Sequence, residues 1–225
     1  MEAILTHKNF LWNETLPEEP IAFSQKPIIT NVRLSLYRVG EFPDENYGEL
    51  GIWYYLYHQF INEDRYTLHH YRRKFQPVKG LNCIPIGKSF NLAQQLDLYH
   101  SPLITKWFKE IGYDLSTYNV FIPYNIFSVN RELLKEWLDF TTSKIIKIQD
   151  ITGARKPNEI KDLITTEKSF LEGFDKKIKT VEYQSRLYAF ILERLNTIFW
   201  TQKKNENKIP IVMCPVKLLE ENQKI

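Results

Sequence analysis

The sequence predicts an α/β fold in which helices flank a central, mostly parallel sheet. Short apolar stretches typical of buried strands alternate with stretches of helical periodicity, and polar clusters follow several of the strands. The chain has 225 residues, of which 43% are hydrophobic, so it is long enough to form a core of its own. We therefore expect a single domain over residues 1–225, with a polar C-terminal tail from about residue 216.

Apolar runs bounded by polar residues or prolines predict the strands. In chain order, these runs cover residues 3–6, 27–30, 65–68, 83–86, 119–122 and 209–213.

Apolar residues at helical spacing predict the helices. These are expected over residues 49–62, 91–99, 103–111, 131–140 or beyond, and 182–200, with a weaker helical stretch over residues 159–173. Gly112 closes the third helix, and Asn130 is a typical N-cap for the fourth.

Charge and cysteine content exclude several classes of protein. A formal net charge of +3 does not by itself indicate a nucleic-acid-binding protein. Cys83 and Cys214 are far apart in sequence and form neither a disulfide framework nor a zinc motif. No apolar stretch is long enough to span a membrane, and the N-terminus lacks the features of a signal peptide. We expect a cytoplasmic protein, and peripheral contact with the inner membrane face is compatible with this expectation.

The most informative cluster of side chains lies in residues 67–75, Thr-Leu-His-His-Tyr-Arg-Arg-Lys-Phe. Arg72 and Arg73 offer fixed forks of donors that match phosphate oxygens, and a neutral His70 can donate to phosphate or protonate a leaving group. Because the cluster follows a predicted strand, we favour a phosphate-bearing ligand. The alternative is an exposed basic loop that pairs with Glu63 and Asp64.

Three polar clusters fall at the ends of predicted strands. They are Thr6-His7-Lys8, residues 69–73, and Pro123-Tyr124-Asn125. Ligands of open α/β sheets bind outside the carboxyl ends of the strands. The sequence therefore predicts that these clusters share one site.

Several familiar motifs are missing from the sequence. There is no P-loop, no glycine-rich dinucleotide motif and no nucleophile elbow, and the chain has only eight glycines. The five histidines and the acidic residues show no metal-ligand spacing, so we expect no metal cofactor.

Two further groups allow either a structural role or a role in the site. Glu49 opens a predicted helix, where it could complement the helix dipole or point into the site. Glu193 and Arg194 lie in the apolar helix 182–200, where a buried Glu193 would need a partner. Arg186, two turns earlier, is the expected partner, and the pair is either structural or functional. His100 either ends its helix or faces the site.

Five motifs in a fixed order resemble a bacterial glycosyltransferase-like family of capsule and O-antigen gene clusters, long known only as a domain of unknown function. The motifs are Thr6-His7-Lys8, Glu49-Leu50, His70-Tyr71-Arg72-Arg73-Lys74-Phe75, Phe121-Ile122-Pro123-Tyr124-Asn125-Ile126-Phe127, and Arg186 followed by Glu193-Arg194-Leu195. They span about residues 3–200, so the resemblance covers nearly the whole chain.

The resemblance implies a single α/β domain of the GT-A type that transfers a sugar, hexosyl or galactofuranosyl, from a nucleotide-diphosphate donor. The acceptor would be a glycan, free or lipid-linked. Such folds place a metal-binding D-x-D motif after the central strand, and here residues 69–73 take that place. We hypothesise that Arg72 and Arg73, with His70, replace the metal as the counter-charge for the leaving diphosphate.

A displacement also needs a base near the acceptor hydroxyl, and Asp97, Glu49 and Glu193 all remain candidates. The first polar cluster would line the nucleotide end of the site, and the third would face the donor sugar or the acceptor. The full set of residues expected to bind substrates is Thr6, His7, Lys8, Glu49, Tyr71, Pro123, Tyr124, Asn125, Arg186 and Arg194.

Two alternatives of other classes stay open. The chain could be a non-catalytic module that binds a nucleotide sugar or nucleic acid, or a sugar transferase that acts on modified bases of phage-type DNA. Strongly salt-dependent binding would favour a nucleic-acid partner, which we do not favour. Hydrolysis of a sugar donor would favour an enzyme.

Overall fold

The computed structural model describes residues 2–5, 21–22, 48–70 and 73–218. The strands described, in chain order, are β1 (Glu2–Leu5), β2 (Ile21–Ala22), β3 (Arg65–His70), β4 (Arg73–Phe75), β5 (Asn82–Pro85), β6 (Lys88–Ser89), β7 (Val120–Phe121), β8 (Ser128–Asn130), β9 (Ile211–Cys214) and β10 (Val216–Leu218). The α-helices are α1 (Leu50–Gln59), α2 (Leu92–Tyr99), α3 (Pro102–Glu110), α4 (Arg131–Thr152), α5 (Pro157–Thr166), α6 (Val181–Gln184) and α7 (Leu187–Glu206).

Eight of these strands form one sheet, and β6 and β7 form a separate antiparallel pair. The main sheet runs β10-β4-β3-β8-β5-β9, with β1 paired to β3 and β2 paired to β1. The pairings β1–β2, β1–β3 and β5–β9 are parallel. The pairings β3–β4, β4–β10, β3–β8 and β5–β8 are antiparallel.

The α/β class with helices around a sheet is confirmed, whereas the sheet is mixed rather than mostly parallel. Two features of the sequence account for the difference. Residues 71–72 separate β3 from β4, a spacing so short that the two strands can only pair antiparallel. The strand β8 was not predicted, because its three residues directly precede helix α4 and include that helix's N-cap, Asn130.

Local sequence explains where the helices begin and end. The side chains of Asn91, Ser101 and Asn130 accept hydrogen bonds from backbone N–H groups in the first turns of α2, α3 and α4. Helix α4 ends at Thr152, and the next residue, Gly153, has a φ of 68°, the left-handed conformation that glycine adopts without strain.

The core is rich in aromatic rings that join the helices to the sheet. The ring of Trp53 on α1 stacks on Phe127 with centroids 4.0 Å apart. Trp137 on α4 and Trp200 on α7 meet the same Phe127 ring edge-on, at 5.0 and 5.1 Å. The two edge-to-face contacts have an arrangement that aromatic rings prefer.

Residues 182–200, expected to form one helix, belong to two helices. Helix α6 ends at Gln184, and α7 begins at Leu187 after a break at Ser185 and Arg186. The ψ of Arg186 is +25°, which departs from helical geometry.

Two other strand predictions are changed by the structure. The strand expected near residues 119–122 forms as β7, but it pairs with β6 outside the main sheet. Residues 216–218, expected to begin the polar tail, form β10, which adds to the main sheet beside β4. Their apolar–polar–apolar alternation fits a strand at that position.

Candidate functional site

Two adjacent parallel strands end side by side at one edge of the sheet. β1 ends at Leu5, and its Cα partner is His70, the last residue of β3. The carboxyl ends of parallel strands are where α/β sheets bind ligands. The ends of β1 and β3 therefore lie together, and a site shared by the segments that leave them stays a prediction. Thr6, His7, Lys8, Tyr71 and Arg72, all expected in that site, lie outside the described residues.

Arg73 connects this edge to the third polar cluster. It begins β4, paired with His70, and its guanidinium carbon lies 4.0 Å from the centroid of the Tyr124 ring. The ammonium group of Lys88 is 5.7 Å from the same ring. A cation over an aromatic face is an attractive contact. The structure therefore brings the second and third predicted clusters together at Arg73 and Tyr124.

Helix α7 fixes the path of residues 122–125. The backbone N–H of Ile122 donates to the Thr197 hydroxyl at 3.0 Å, and the Asn196 amide donates to the Ile122 carbonyl at 3.2 Å. The oxygen of Asn196 also accepts the indole N–H groups of Trp137 and Trp200, at 2.9 and 2.7 Å. Sequence reasoning did not single out Asn196 and Thr197, although polar residues on a strongly apolar helix are a signal of buried hydrogen bonding.

The backbone of Tyr124 and Asn125 has positive φ values, 80° and 48°. This conformation is uncommon for any residue except glycine and is most often tolerated by Asn and Asp. The indole N–H of Trp53 holds the turn by donating to the Asn125 carbonyl at 2.8 Å. As a result, the Asn125 amide nitrogen donates to the Glu49 carboxylate at 3.0 Å.

Burial raises the pKa of the Glu49 carboxyl above its ordinary value, and the nearby Glu193 carboxylate raises it further. The hydrogen bond from Asn125 and the charge of Arg186 oppose this effect. Gly48 places Glu49 next to α7, because a Cβ atom at Gly48 would lie 3.0 Å from the Ala189 Cβ.

Glu193 reaches the same turn from α7. One of its oxygens accepts the backbone N–H of Tyr124 at 3.4 Å, and the other lies 3.2 Å from Arg194 Nη1. Its partner is therefore Arg194 and not Arg186, the partner predicted from the sequence. The reason is the helix break, because Arg186 precedes α7 and is not two helical turns from Glu193 on a common face.

Arg194 is the fully buried member of this pair. Its Nη1 also donates to the Phe190 carbonyl at 2.8 Å, and its guanidinium lies 5.1 Å from the Phe121 ring centroid. Burial lowers the pKa of Arg194 to about 10, which leaves it charged at neutral pH.

His100 ends α2 in a buried position. Its ring stacks on Phe190 with centroids 4.0 Å apart, and Nδ1 lies 3.3 Å from the Gln184 side-chain oxygen. Burial lowers the pKa of His100 well below its ordinary value, with further lowering from Arg194 and Lys179. It is thus a neutral packing residue at the end of its helix.

The structure brings some of the predicted site residues together and not others. It gathers Glu49, Arg73, Pro123, Tyr124, Asn125, Arg186, Glu193 and Arg194 around the turn at residues 124–125. Asp97 is exposed on α2, and within the described chain no hydrogen bond or ion pair joins it to this group. Among residues 2–5, 21–22, 48–70 and 73–218, no three His, Cys, Asp or Glu side chains form a cluster that could hold a metal ion.

None of the helices in the described part of the chain is both long enough and apolar enough to cross a membrane.

Comparison with known proteins shows the fold. The sequence matches no protein-family model and no curated protein. Its structure is similar to the apo structure of WbbM, a bifunctional glycosyltransferase, with a TM-score of 0.52 and 12% sequence identity. The match covers 79% of this chain and 37% of WbbM, so the chain spans just over a third of that protein's length. The chain has a glycosyltransferase-like α/β fold, which confirms the predicted α/β class.

Proposed function

We propose that this chain transfers a sugar from a nucleotide-diphosphate donor to a hydroxyl group of a glycan acceptor. The observation that carries the proposal is the carboxylate of Glu49, which has a raised pKa and is held by Asn125 beside Glu193. A raised pKa makes this carboxylate a stronger base than an ordinary one, which suits general-base catalysis. The glycosyltransferase-like fold supports the reaction class.

The proposed diphosphate site consists of His70, Arg72 and Arg73. Support comes from the strand register, which puts the end of β3 beside the end of β1, and from Arg73, which stacks on Tyr124. Cations at this edge would stabilise the negative charge that develops on the leaving diphosphate, in the role that a metal ion has in other transferases.

In the proposed step, Glu49 takes the proton of the acceptor hydroxyl while that oxygen forms a bond to the anomeric carbon of the donor. The bond from the anomeric carbon to the diphosphate oxygen breaks, and the nucleoside diphosphate leaves with the electron pair. Glu193 favours the proton transfer, because its negative charge makes Glu49 a stronger base.

The other residues predicted from the sequence have roles in the same reaction. Thr6, His7 and Lys8 would contact the nucleotide, and Tyr124 and Asn125 would face the transferred sugar. One domain would carry the whole reaction in the cytoplasm or at the inner membrane face. A hexose or galactofuranose donor and a lipid-linked glycan of capsule or O-antigen type would be its substrates.

A thermal-shift screen tests the proposal. Nucleoside diphosphates and their sugars are added to the protein with EDTA or with a divalent ion, because a bound ligand raises the melting temperature. We expect one nucleoside diphosphate to raise the melting temperature in EDTA. The wild type should slowly hydrolyse the corresponding nucleotide sugar, and Glu49→Gln should not. If no nucleotide shifts the melting temperature under either condition, the proposed function is wrong.

A further inference from the structure

Arg194 is completely buried, yet part of its guanidinium group has no hydrogen-bond partner. Nη1 is used by the Phe190 carbonyl and by Glu193, at 2.8 and 3.2 Å. Nε and Nη2 have no acceptor. Buried donors are nearly always paired in folded proteins, and a charged donor that is left unpaired is especially costly.

The two unpaired nitrogens form one edge of the guanidinium plane. On this edge, the Nε–H and one Nη2–H bond point in parallel, which matches the two oxygens of a carboxylate or a phosphate. Lysine cannot reproduce this fork, because its ammonium group acts as a single point of charge. The free edge of Arg194 is therefore shaped for an oxyanion with two coplanar oxygens.

Cations and carboxylates both lie in the region around Arg194. Arg194, Lys179 and Arg186 all act on His100 as nearby cations. The ammonium group of Lys179 donates to the backbone carbonyls of His100 and Ser169. In the part of the chain that the structure describes, the carboxylate paired with Arg194 is that of Glu193. An oxyanion on the Nε–Nη2 edge would supply the acceptors that these two buried nitrogens lack.

Two residues in contact with Arg194 connect it to the proposed active site. Glu193, the preceding residue on α7, contacts the Tyr124 N–H and acts on the Glu49 carboxyl. Phe121, the ring under the guanidinium, directly precedes residues 122–125. The free edge thus belongs to the part of the molecule that carries the Glu49 carboxylate.

We propose that the Nε–Nη2 edge of Arg194 binds an oxyanion of the substrate and makes this site selective for an anionic sugar compound. The inference rests on the proposed function for the nature of the substrate. The oxyanion has one of two sources: the diphosphate of the donor, or the carboxylate of an acidic sugar. The alternative role is purely structural, in which Arg194 only holds Glu193 through Nη1.

Arg194→Lys separates these roles, because it keeps the positive charge for Glu193 and removes the fork. Inorganic pyrophosphate and glucuronate serve as probes of the two sources, and isothermal titration measures their affinity. Arg155→Lys is the matched control, since Arg155 is exposed and pairs with Asp150. We expect one probe to bind the wild type and the control equally, and to bind Arg194→Lys about 10- to 100-fold more weakly.

Each probe represents one of the two sources of the oxyanion. Binding of pyrophosphate assigns the edge to the donor, and binding of glucuronate assigns it to an acidic sugar. If neither probe binds, or if Arg194→Lys binds as tightly as the wild type, the inference is wrong. If Arg194→Lys does not fold, NMR spectroscopy of the wild type replaces the comparison. An Nε–H resonance of Arg194 that does not shift at a saturating concentration of either probe would also show that the inference is wrong. Loss of donor hydrolysis in Glu49→Gln tests the proposed function separately.

Discussion

The amide of Asn125 donates a hydrogen bond to the carboxylate of Glu49 at 3.0 Å, although the two residues are 76 positions apart in sequence. The side-chain oxygen of Asn125 is buried and has no hydrogen-bond partner. Within the described part of the chain, the side chain of Asn125 is therefore held by its hydrogen bond to Glu49. Burial and Glu193 raise the pKa of Glu49, whereas Asn125 lowers it. Asn125 therefore positions the carboxylate and limits how far its pKa rises.

If Glu49 is the base, then Glu49→Gln should lower kcat by about 10²- to 10⁴-fold, the usual contribution of a positioned general base. Glutamine keeps an oxygen that can accept the Asn125 hydrogen bond, so the fold and donor affinity should be retained. Steady-state rates and donor titration measure the two effects. Glu110→Gln, at an exposed position on α3, is the matched control and should retain full activity. A Glu49→Gln enzyme with more than a tenth of the wild-type kcat would rule out this role.

The pH profile should reveal the contact between Asn125 and Glu49. The base works only when ionised, so kcat/KM should fall as pH drops through the raised pKa of Glu49. Asn125→Gly removes the hydrogen bond that lowers this pKa, and it keeps a residue that accepts a φ of 48°. The acidic limb should therefore move to higher pH. A profile that decreases by the same factor at every pH would show that Asn125 acts only on the backbone.

The same carboxyl group makes stability depend on pH. The pKa of Glu49 in the folded protein is raised above 4.5, its unfolded value, so the folded state holds this proton to higher pH. The stabilisation is fully present below pH 4.5 and is lost as pH rises through the raised pKa. Glu49→Gln cannot ionise, so its melting temperature should exceed that of the wild type at pH 8 and match it near pH 4. Equal melting temperatures at both pH values would contradict the raised pKa.

Sequence patterns were sufficient to predict features that depend on local physics. The N-cap of Asn130 follows from capping chemistry, and the apolar run at residues 65–68 predicted strand β3, which continues two residues further, to His70. The rule that ligands bind outside the carboxyl ends of strands predicted that the polar clusters after β1 and β3 lie close together, and the two strands do end side by side, with Leu5 opposite His70. The proximity of Arg73 to Tyr124 then follows from placing polar clusters at strand ends.

Contacts between distant segments could not be read from the sequence. The partner of Glu193 depends on a helix break at Ser185 and Arg186, where apolar periodicity continues without interruption. The bond from Asn125 to Glu49 depends on left-handed backbone at two residues that are not glycine. Tertiary hydrogen bonds hold that backbone, and local propensity gives a sign of it at Asn125 but none at Tyr124.

Arg73 should affect binding of the donor more than stability. Arg73→Lys keeps the charge but loses the planar stacking on Tyr124 and the fork of donors, so the donor KM should rise about tenfold. Because we propose that arginines provide the counter-charge, turnover by the wild type should survive EDTA. Initial rates over a range of donor concentrations, with and without EDTA, measure both effects. Loss of turnover in EDTA that a divalent ion restores would contradict the proposed counter-charge.

Asn196 should be among the most sensitive positions for stability, because one amide satisfies three buried groups. It accepts the indole N–H of Trp137 and of Trp200, and it donates to the Ile122 carbonyl. Leucine has a similar volume and cannot form these bonds. Asn196→Leu should therefore lower the free energy of unfolding by about 2–5 kcal/mol, since each buried polar group left unpaired costs about 1–3 kcal/mol.

Urea denaturation measures the change, with Ser143→Ala on the exposed side of α4 as the control. The midpoint of unfolding should fall for Asn196→Leu and stay the same for the control. The Ile122 carbonyl adjoins the turn that carries Tyr124 and Asn125, so the folded fraction of Asn196→Leu should also lose turnover. A loss of stability below about 1 kcal/mol would mean that other groups replace the Asn196 hydrogen bonds. In that case Asn196 would not hold the turn at residues 122–125, and Thr197 and Trp53 would be its anchors.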